Sequence, residues 1–180
     1  MFRRNVLLGL TVLGVVAVNA WGQRPASPQA EERIVREVRH QLLLLPYYNV
    51  FDNLTYSVTG YEVTLQGQVT DPVLKHDAES AVKGIEGVEK VVNQIEVLPL
   101  SDFDRELRLR LFRAIYGFPS LERYALPVVK PIRIIVKNGH VTLEGVVDNQ
   151  ADKNVAGVRA NGVADVFSVT NNLVVATPGK

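Results

Sequence analysis

The chain has 180 residues, of which 47% are hydrophobic and 22% charged; that is globular material, enough for one ordinary domain or two small ones. A formal charge of +1 gives no general affinity for polyanions. The absence of cysteine excludes disulfides, thiolate metal ligands, a cysteine nucleophile and the lipid-modified cysteine of a lipoprotein.

Residues 1–20 read as a secretory signal peptide: Arg3 and Arg4 supply the charged start, Val6 to Val18 the apolar run, and Val18, Asn19 and Ala20 the small residues before cleavage. An apolar run of about 13 residues falls short of the roughly 20 that a spanning helix needs, so cleavage before Trp21 is expected and no transmembrane span after it. Twin-arginine export is the weaker match and general secretion the better one. Of the 20 basic residues, Arg3 and Arg4 leave with the signal, so 18 face 19 acidic residues in the mature chain. The expected location is periplasmic or exported. Residues 21–30 carry Pro25 and Pro28 without hydrophobic period and are expected to form a flexible tether.

A first module is expected over residues 31–98. Ile34, Val35, Val38, Leu42 and Leu45 recur at helical spacing opposite Arg33, Arg36, Arg39 and His40, which predicts an amphipathic helix ending before Pro46. Leu54, Tyr56 and Val58 alternate, Thr59-Gly60 turns the chain, and Val63, Leu65, Gly67 and Val69 alternate again, which predicts a hairpin. Asp71 and Pro72 open a second helix with Leu74, Ala78, Ala81, Val82 and Ile85 on one face. A closing strand runs from Val88 to Val97. The order is αββαβ.

The chain then repeats itself. A shift of 78 residues lays 61–97 on 139–175 without a gap and gives 12 identities in 37 positions, where unrelated sequences give roughly one in sixteen. Duplication follows, with a second module over residues 101–175 and a tail over 176–180. In it Leu107, Leu111 and Ile115 open the first helix, Ile132, Ile134 and Val136 form a strand, and Asn138-Gly139 stands where a tight hairpin needs positive φ. About five extra residues, with Pro127 and Pro131, separate helix from strand. Asp152 and Arg159 replace Leu74 and Ala81 in the second helix, which also carries Gly157 and Gly162 and is expected to be the weaker element. The predicted fold class is α+β: two tandem modules, each a three-stranded mixed sheet packed against two helices.

The doubled pattern of a Gly-containing turn, Val63-Thr64-Leu65-x-Gly67 and its counterpart Val141-Thr142-Leu143-x-Gly145, an alanine-bearing helix, and a closing Val-x-x-Val-x-Asn strand ending at Asn93 or Asn171 resembles the BON domain, named for bacterial osmotically inducible and nodulation proteins. The resemblance implies exported envelope proteins with paired copies, linked to osmotic stress, membrane integrity or secretion-associated assemblies, that bind phospholipid or envelope partners and catalyse nothing. It also implies that a lipid-binding surface, where present, lies on the first helix of the second copy, here residues 104–116.

That helix has its own chemistry. Leu107, Leu111, Ala114 and Ile115 share the side that should face the sheet, leaving Leu109 and Phe112 among Arg105, Arg108, Arg110 and Arg113 on the other. Two readings stay open. Arg105, Arg108, Leu109, Phe112 and Arg113 can form an anionic lipid site, with the apolar pair in the headgroup zone and guanidinium groups on phosphate. Alternatively, Leu109 and Phe112 bury against the other module. The partner classes are therefore an anionic phospholipid surface or an envelope protein that pairs with a sheet edge. Export and the balanced mature charge argue against nucleic acid.

No catalytic or metal constellation is expected, and no cofactor. His40, His76 and His140 are scattered, Ser101, Ser120 and Ser168 lack a nucleophile-elbow context, and Asp102, Asp104 and Glu106 read as a helix start. Gly67 and Gly145 read as strand positions that another backbone approaches closely. Asn93 and Asn171 read as side chains satisfying a nearby turn or edge. Tyr47, Tyr48, Phe51 and Tyr56 read as packing residues, with a sugar or peptide platform as the alternative.

Overall fold

A computed structural model describes residues 27–177; the expected signal segment, residues 21–26 of the expected tether and the last three residues lie outside the described residues. The first module runs α1 (Pro28–Leu43), β1 (Asn53–Thr59), β2 (Glu62–Val69), α2 (Pro72–Lys83), β3 (Lys90–Asn93) and β4 (Glu96–Val97). The second runs α3 (Asp102–Tyr116), a 3₁₀ turn (Glu122–Ala125), β5 (Ile132–Lys137), β6 (His140–Val147), α4 (Gln150–Asn161), β7 (Ser168–Asn171) and β8 (Val174–Val175). In each module the second strand is central: β2 pairs antiparallel with β1 and parallel with β3 and β4, and β6 does the same with β5, β7 and β8. This is the expected α+β mixed-sheet pair.

Local chemistry sets the elements. Ser27, Asp71, Ser101 and Asn149 each accept a hydrogen bond from a first-turn amide and so cap their helices. With Ser27 as cap and Pro28 suited to a first turn, α1 starts three residues inside the stretch expected to be a tether. Similarly, α3 begins at Asp102, ahead of the expected residue 104. Asn138 (φ 51°) and Gly139 (φ 77°) make the expected positive-φ turn, and Gly60 (φ 64°) opens the shorter-signalled one. Gly67 (φ 111°) and Gly145 (φ 116°) face a neighbouring backbone as read: a Cβ there would overlap the carbonyl oxygens of Asn53 and Pro131.

Each closing strand is broken, in contrast to the single run expected from Val88 to Val97. Asn93 Oδ1 accepts from the Ile95 amide (3.1 Å) and its Nδ2 donates to the Lys75 carbonyl (3.0 Å); Asn171 repeats both bonds with Leu173 (3.3 Å) and Lys153 (2.8 Å). The bond to the amide two residues on is the local role read from sequence, and the bond to the helix carbonyl adds a strut between the strand and the second helix. Gly157 makes room for one strut, since a Cβ there would come within 2.8 Å of Asn171 Nδ2. Gly162 is the helix C-cap.

Each core lies between the helices and one sheet face, with Ile34, Val38, Leu65 and Leu74 fully buried in the first module and Leu107, Leu111, Ile134 and Leu143 in the second. Val35, expected on that buried face, is exposed, because Ile34, Val38 and Leu42 alone fill the stripe. α4 is as long as α2, 12 residues each, and Asp152 and Arg159, which stand where α2 has Leu74 and Ala81, hold it from the side. Arg159 donates to the Ala114 carbonyl (3.1 Å) and lies over the Phe118 ring (4.9 Å).

The modules meet along one asymmetric seam. The loop 44–52 of the first module lies on the outer edge of β5, where the Ile134 amide donates to the Val50 carbonyl (3.0 Å) and the Arg133 guanidinium donates to the Asn49 carbonyl (2.8 Å). Arg133 also lies over the Tyr48 ring (4.4 Å), and Lys137 pairs with Glu96. Asp52 shapes this loop from within, accepting from the Asn49 amide and from both the amide and hydroxyl of Thr70. Ile132 to Val136 are consequently all buried, on both faces of β5.

Candidate binding cleft

The first helix of the second module is placed by its own N-terminus. Asp104, buried in the first turn, accepts from the Asn138 amide (2.8 Å) and the Gly139 amide (2.9 Å), so the helix start clamps the β5–β6 turn. One turn further, Arg108 points under the helix. It is only 7% exposed, its guanidinium donates to the Val136 carbonyl (2.8 Å), and its Nε is buried without a partner. Burial pulls its pKa down, opposed by the nearby Asp104 and Asp52 carboxylates.

Beside Arg108 a cleft of about 480 Å³ opens between α3 and the seam loop. Phe51, Pro99, Leu100 and Leu109 form apolar walls, Arg105 and Arg108 supply positive charge against the one carboxylate of Asp102, and Thr70 and Ser101 add hydroxyls. Leu100 is 94% exposed and Leu109 is exposed on the rim. Arg105 pairs with Asp102 (2.8 Å), an exposed pair worth little and free to exchange partners. The cleft therefore offers one buried guanidinium and one exposed guanidinium paired with a carboxylate, beside an apolar surface. That combination suits a ligand with an anionic head and a hydrocarbon body.

Of the five residues read from sequence as a lipid site, the fold brings Arg105, Arg108 and Leu109 together in this cleft. Phe112 is placed elsewhere: half-buried on the seam, it meets Phe51 edge-on (6.4 Å between ring centroids) and packs on Tyr116 (4.9 Å). Its face of the helix looks at the first module, and that contact decides between the two readings for this residue. Arg113 is exposed outside the cleft lining, and Arg110 pairs with Asp165 (2.8 Å). Arg108 departs from the expected solvent-facing ring, since its guanidinium is needed at the β5 carbonyl edge. Phe51, Thr70 and Leu100 were not legible as lining, because they enter from the other module and from the linker.

A second polar cluster has no sequence warning. Tyr124 in the inserted segment donates to Asp152 (2.6 Å) and accepts from the Asp148 amide (2.8 Å), while Arg123 pairs with both Asp148 and Asp152. Burial, reinforced by the bond to Asp152, pushes the Tyr124 hydroxyl up to about 12. The groups satisfy one another, so the cluster pins the insert to α4. Of the aromatic group in the first module, Tyr48, Phe51 and Tyr56 pack, and Tyr47 alone is well exposed. His40 and His76 lie exposed on α1 and α2, and His140 meets Ser168 Oγ (2.8 Å) beside Phe167. Among the described residues no three His, Asp or Glu side chains gather as a metal site, and no helix is long and apolar enough to cross a membrane.

Fold and cleft together define a tandem αββαβ protein whose second copy is completed laterally by the first. The chain belongs to the BON-domain family, whose model matches residues 30–99 and 121–177. It is also similar, at 12% identity over 80% of its length, to two structures of CdsD, a structural protein of the type III secretion system of Chlamydia trachomatis. One, its C-terminal domain, is covered over 98% with a TM-score of 0.28; the other is covered over 92% with a TM-score of 0.29. Comparison with curated proteins gives no match.

Proposed function

We propose that this chain is a non-catalytic binding module of the bacterial envelope that holds an anionic phospholipid in the cleft between α3 and the seam loop. The observation that carries this reading is the convergence of Arg105, Arg108 and Leu109 with Phe51 and Leu100. BON-domain membership and the signal-like first twenty residues support the location. Phosphate meets the two arginines, the first acyl carbons lie along Leu109 and Leu100, and the chains remain in the bilayer.

The test is co-sedimentation of the chain from Trp21 onward, which contains every described element, with phosphatidylglycerol or phosphatidylcholine vesicles over a salt series. Binding to the anionic vesicles alone, weakening as salt rises, is expected. Leu109→Asp, at an exposed position that leaves the fold intact, should lower that binding about tenfold or more, given roughly 1.5–3 kcal/mol for a buried leucine. Equal binding by the variant, or none by the parent to either vesicle, contradicts the reading.

A further inference from the structure

The contact between the modules is heterologous: the first presents one face and the second receives it on a different one. Because the modules are copies, each face has a counterpart on the other module that the seam leaves unused. The shared register makes the counterparts explicit, since Leu54 pairs with Gly67 as Ile132 pairs with Gly145, and Asn53 and Pro131 each put a carbonyl against the paired glycine. The 78-residue shift thus extends back to the start of the first strands.

Carried three residues further, it places Val128 where Val50 docks on β5, and Val129 where Phe51 meets Phe112. On the adjoining strands it places Val146 for Gln68 and Val174 for Glu96, two residues that in the first module face the β5–β6 sheet. All four valines are exposed, Val128 to 98% and Val174 to 61%. The second module therefore carries exposed valines at four positions that the first module uses at the seam. Exposed apolar residues gathered at one such place mark an interaction site.

The receiving face is free on the first module. β1 is an outer strand with no backbone laid along its far side among the described residues, and its Thr55 and Ser57, small and exposed, stand where Arg133 and Ile135 are covered in β5. Val35 on α1 is exposed beside it, its carbonyl accepting from the Tyr56 hydroxyl of β1.

We propose that these two unused faces bind one another between chains, so that the valine face of one copy seats on the β1 edge of a second copy, head to tail, as the modules seat within one chain. Such a contact does not consume itself on dimerisation: each added chain leaves one face of each kind free until a ring closes or a filament runs on. It uses surfaces apart from the α3 cleft, and so stands or falls independently of lipid binding.

Sedimentation velocity of the chain from Trp21 onward, without lipid, tests it. The parent should show a mass that grows with concentration. Val128→Asp/Val174→Asp, which spoils the valine face, and Val35→Glu/Ser57→Glu, which spoils the edge, should each be monomeric with the parent's circular dichroism. An equimolar mixture of the two should recover a complex of two chains and nothing larger, because one intact face of each kind remains. A parent that stays monomeric up to about 1 mM overturns the proposal. So do assemblies that survive either variant, or variants that fail to complement each other.

Discussion

β1 and β5 occupy the same outer place in their sheets and pair with their hairpin partners in the same register, yet only one of them is covered along its free edge. In β1 the outward residues Thr55, Ser57 and Thr59 meet solvent and alternate with half-buried ones; in β5 Ile132 to Val136 are buried without interruption. The difference comes from outside the strand, because loop 44–52 covers the β5 edge and nothing described covers that of β1. Duplicated sequence thus gives two equal folds with unequal surroundings. The side chains follow the surroundings, with Arg133 and Ile135 where the first copy has Thr55 and Ser57. The cleft exists because of the same asymmetry, since Phe51 and Thr70 wall it only where the first module abuts α3.

What the copies share should break first and most severely. Gly145→Ala drives a Cβ into the Pro131 carbonyl at a φ that side chains rarely adopt, and a loss of about 3 kcal/mol or more is expected by denaturant unfolding, with Gly67→Ala equally damaging. If either alanine leaves stability unchanged, the close approach is not a requirement of the module.

Features peculiar to the second copy come next. Asp104→Ala strips the Asn138 and Gly139 amides of their acceptor and should cost about 2–3 kcal/mol, with hydrogen exchange rising at the β5–β6 turn. Ile135→Ser and Arg133→Thr give β5 the residues of β1. Together they should cost about 2–3 kcal/mol and split one unfolding transition into two as the modules uncouple. A single unshifted transition would show that the seam contributes nothing to stability.

The smallest effect is one of pH. Tyr124 titrates near 12 in the folded chain and near its ordinary 10 when unfolded, so its neutral form is favoured by folding. Its contribution is complete below pH 10 and is lost as pH rises from 10 to 12. Tyr124→Phe should lower stability at pH 7 by about 1–2 kcal/mol while making the alkaline decline shallower over that window.

The sequence made the duplication, the helices, both hairpin turns and the close-approach glycines legible, since each is written in local spacing or in one copy's match to the other. The breaks in the closing strands were not, because Asn93 and Asn171 interrupt pairing through bonds to a helix 18 residues away. Nor was the burial of Asp104, Arg108 and Asp152, all polar residues on helices that read as surface until a turn, a strand edge or the inserted segment is brought over them. Of the residues read as a lipid site, the fold gathers Arg105, Arg108 and Leu109 at one cleft and sets Phe112 against Phe51. Helical periodicity names a face without naming what that face meets.

The central claim is that the seam builds a cleft for an anionic amphiphile, and a nuclear magnetic resonance titration of the chain from Trp21 with short-chain phosphatidylglycerol below its micelle concentration tests it most directly. Shifts should converge on Arg105, Arg108, Leu109, Leu100 and Phe51, and a zwitterionic lipid of equal chain length should leave these signals in place. Shifts absent from that set, or equal for the two lipids, would contradict it.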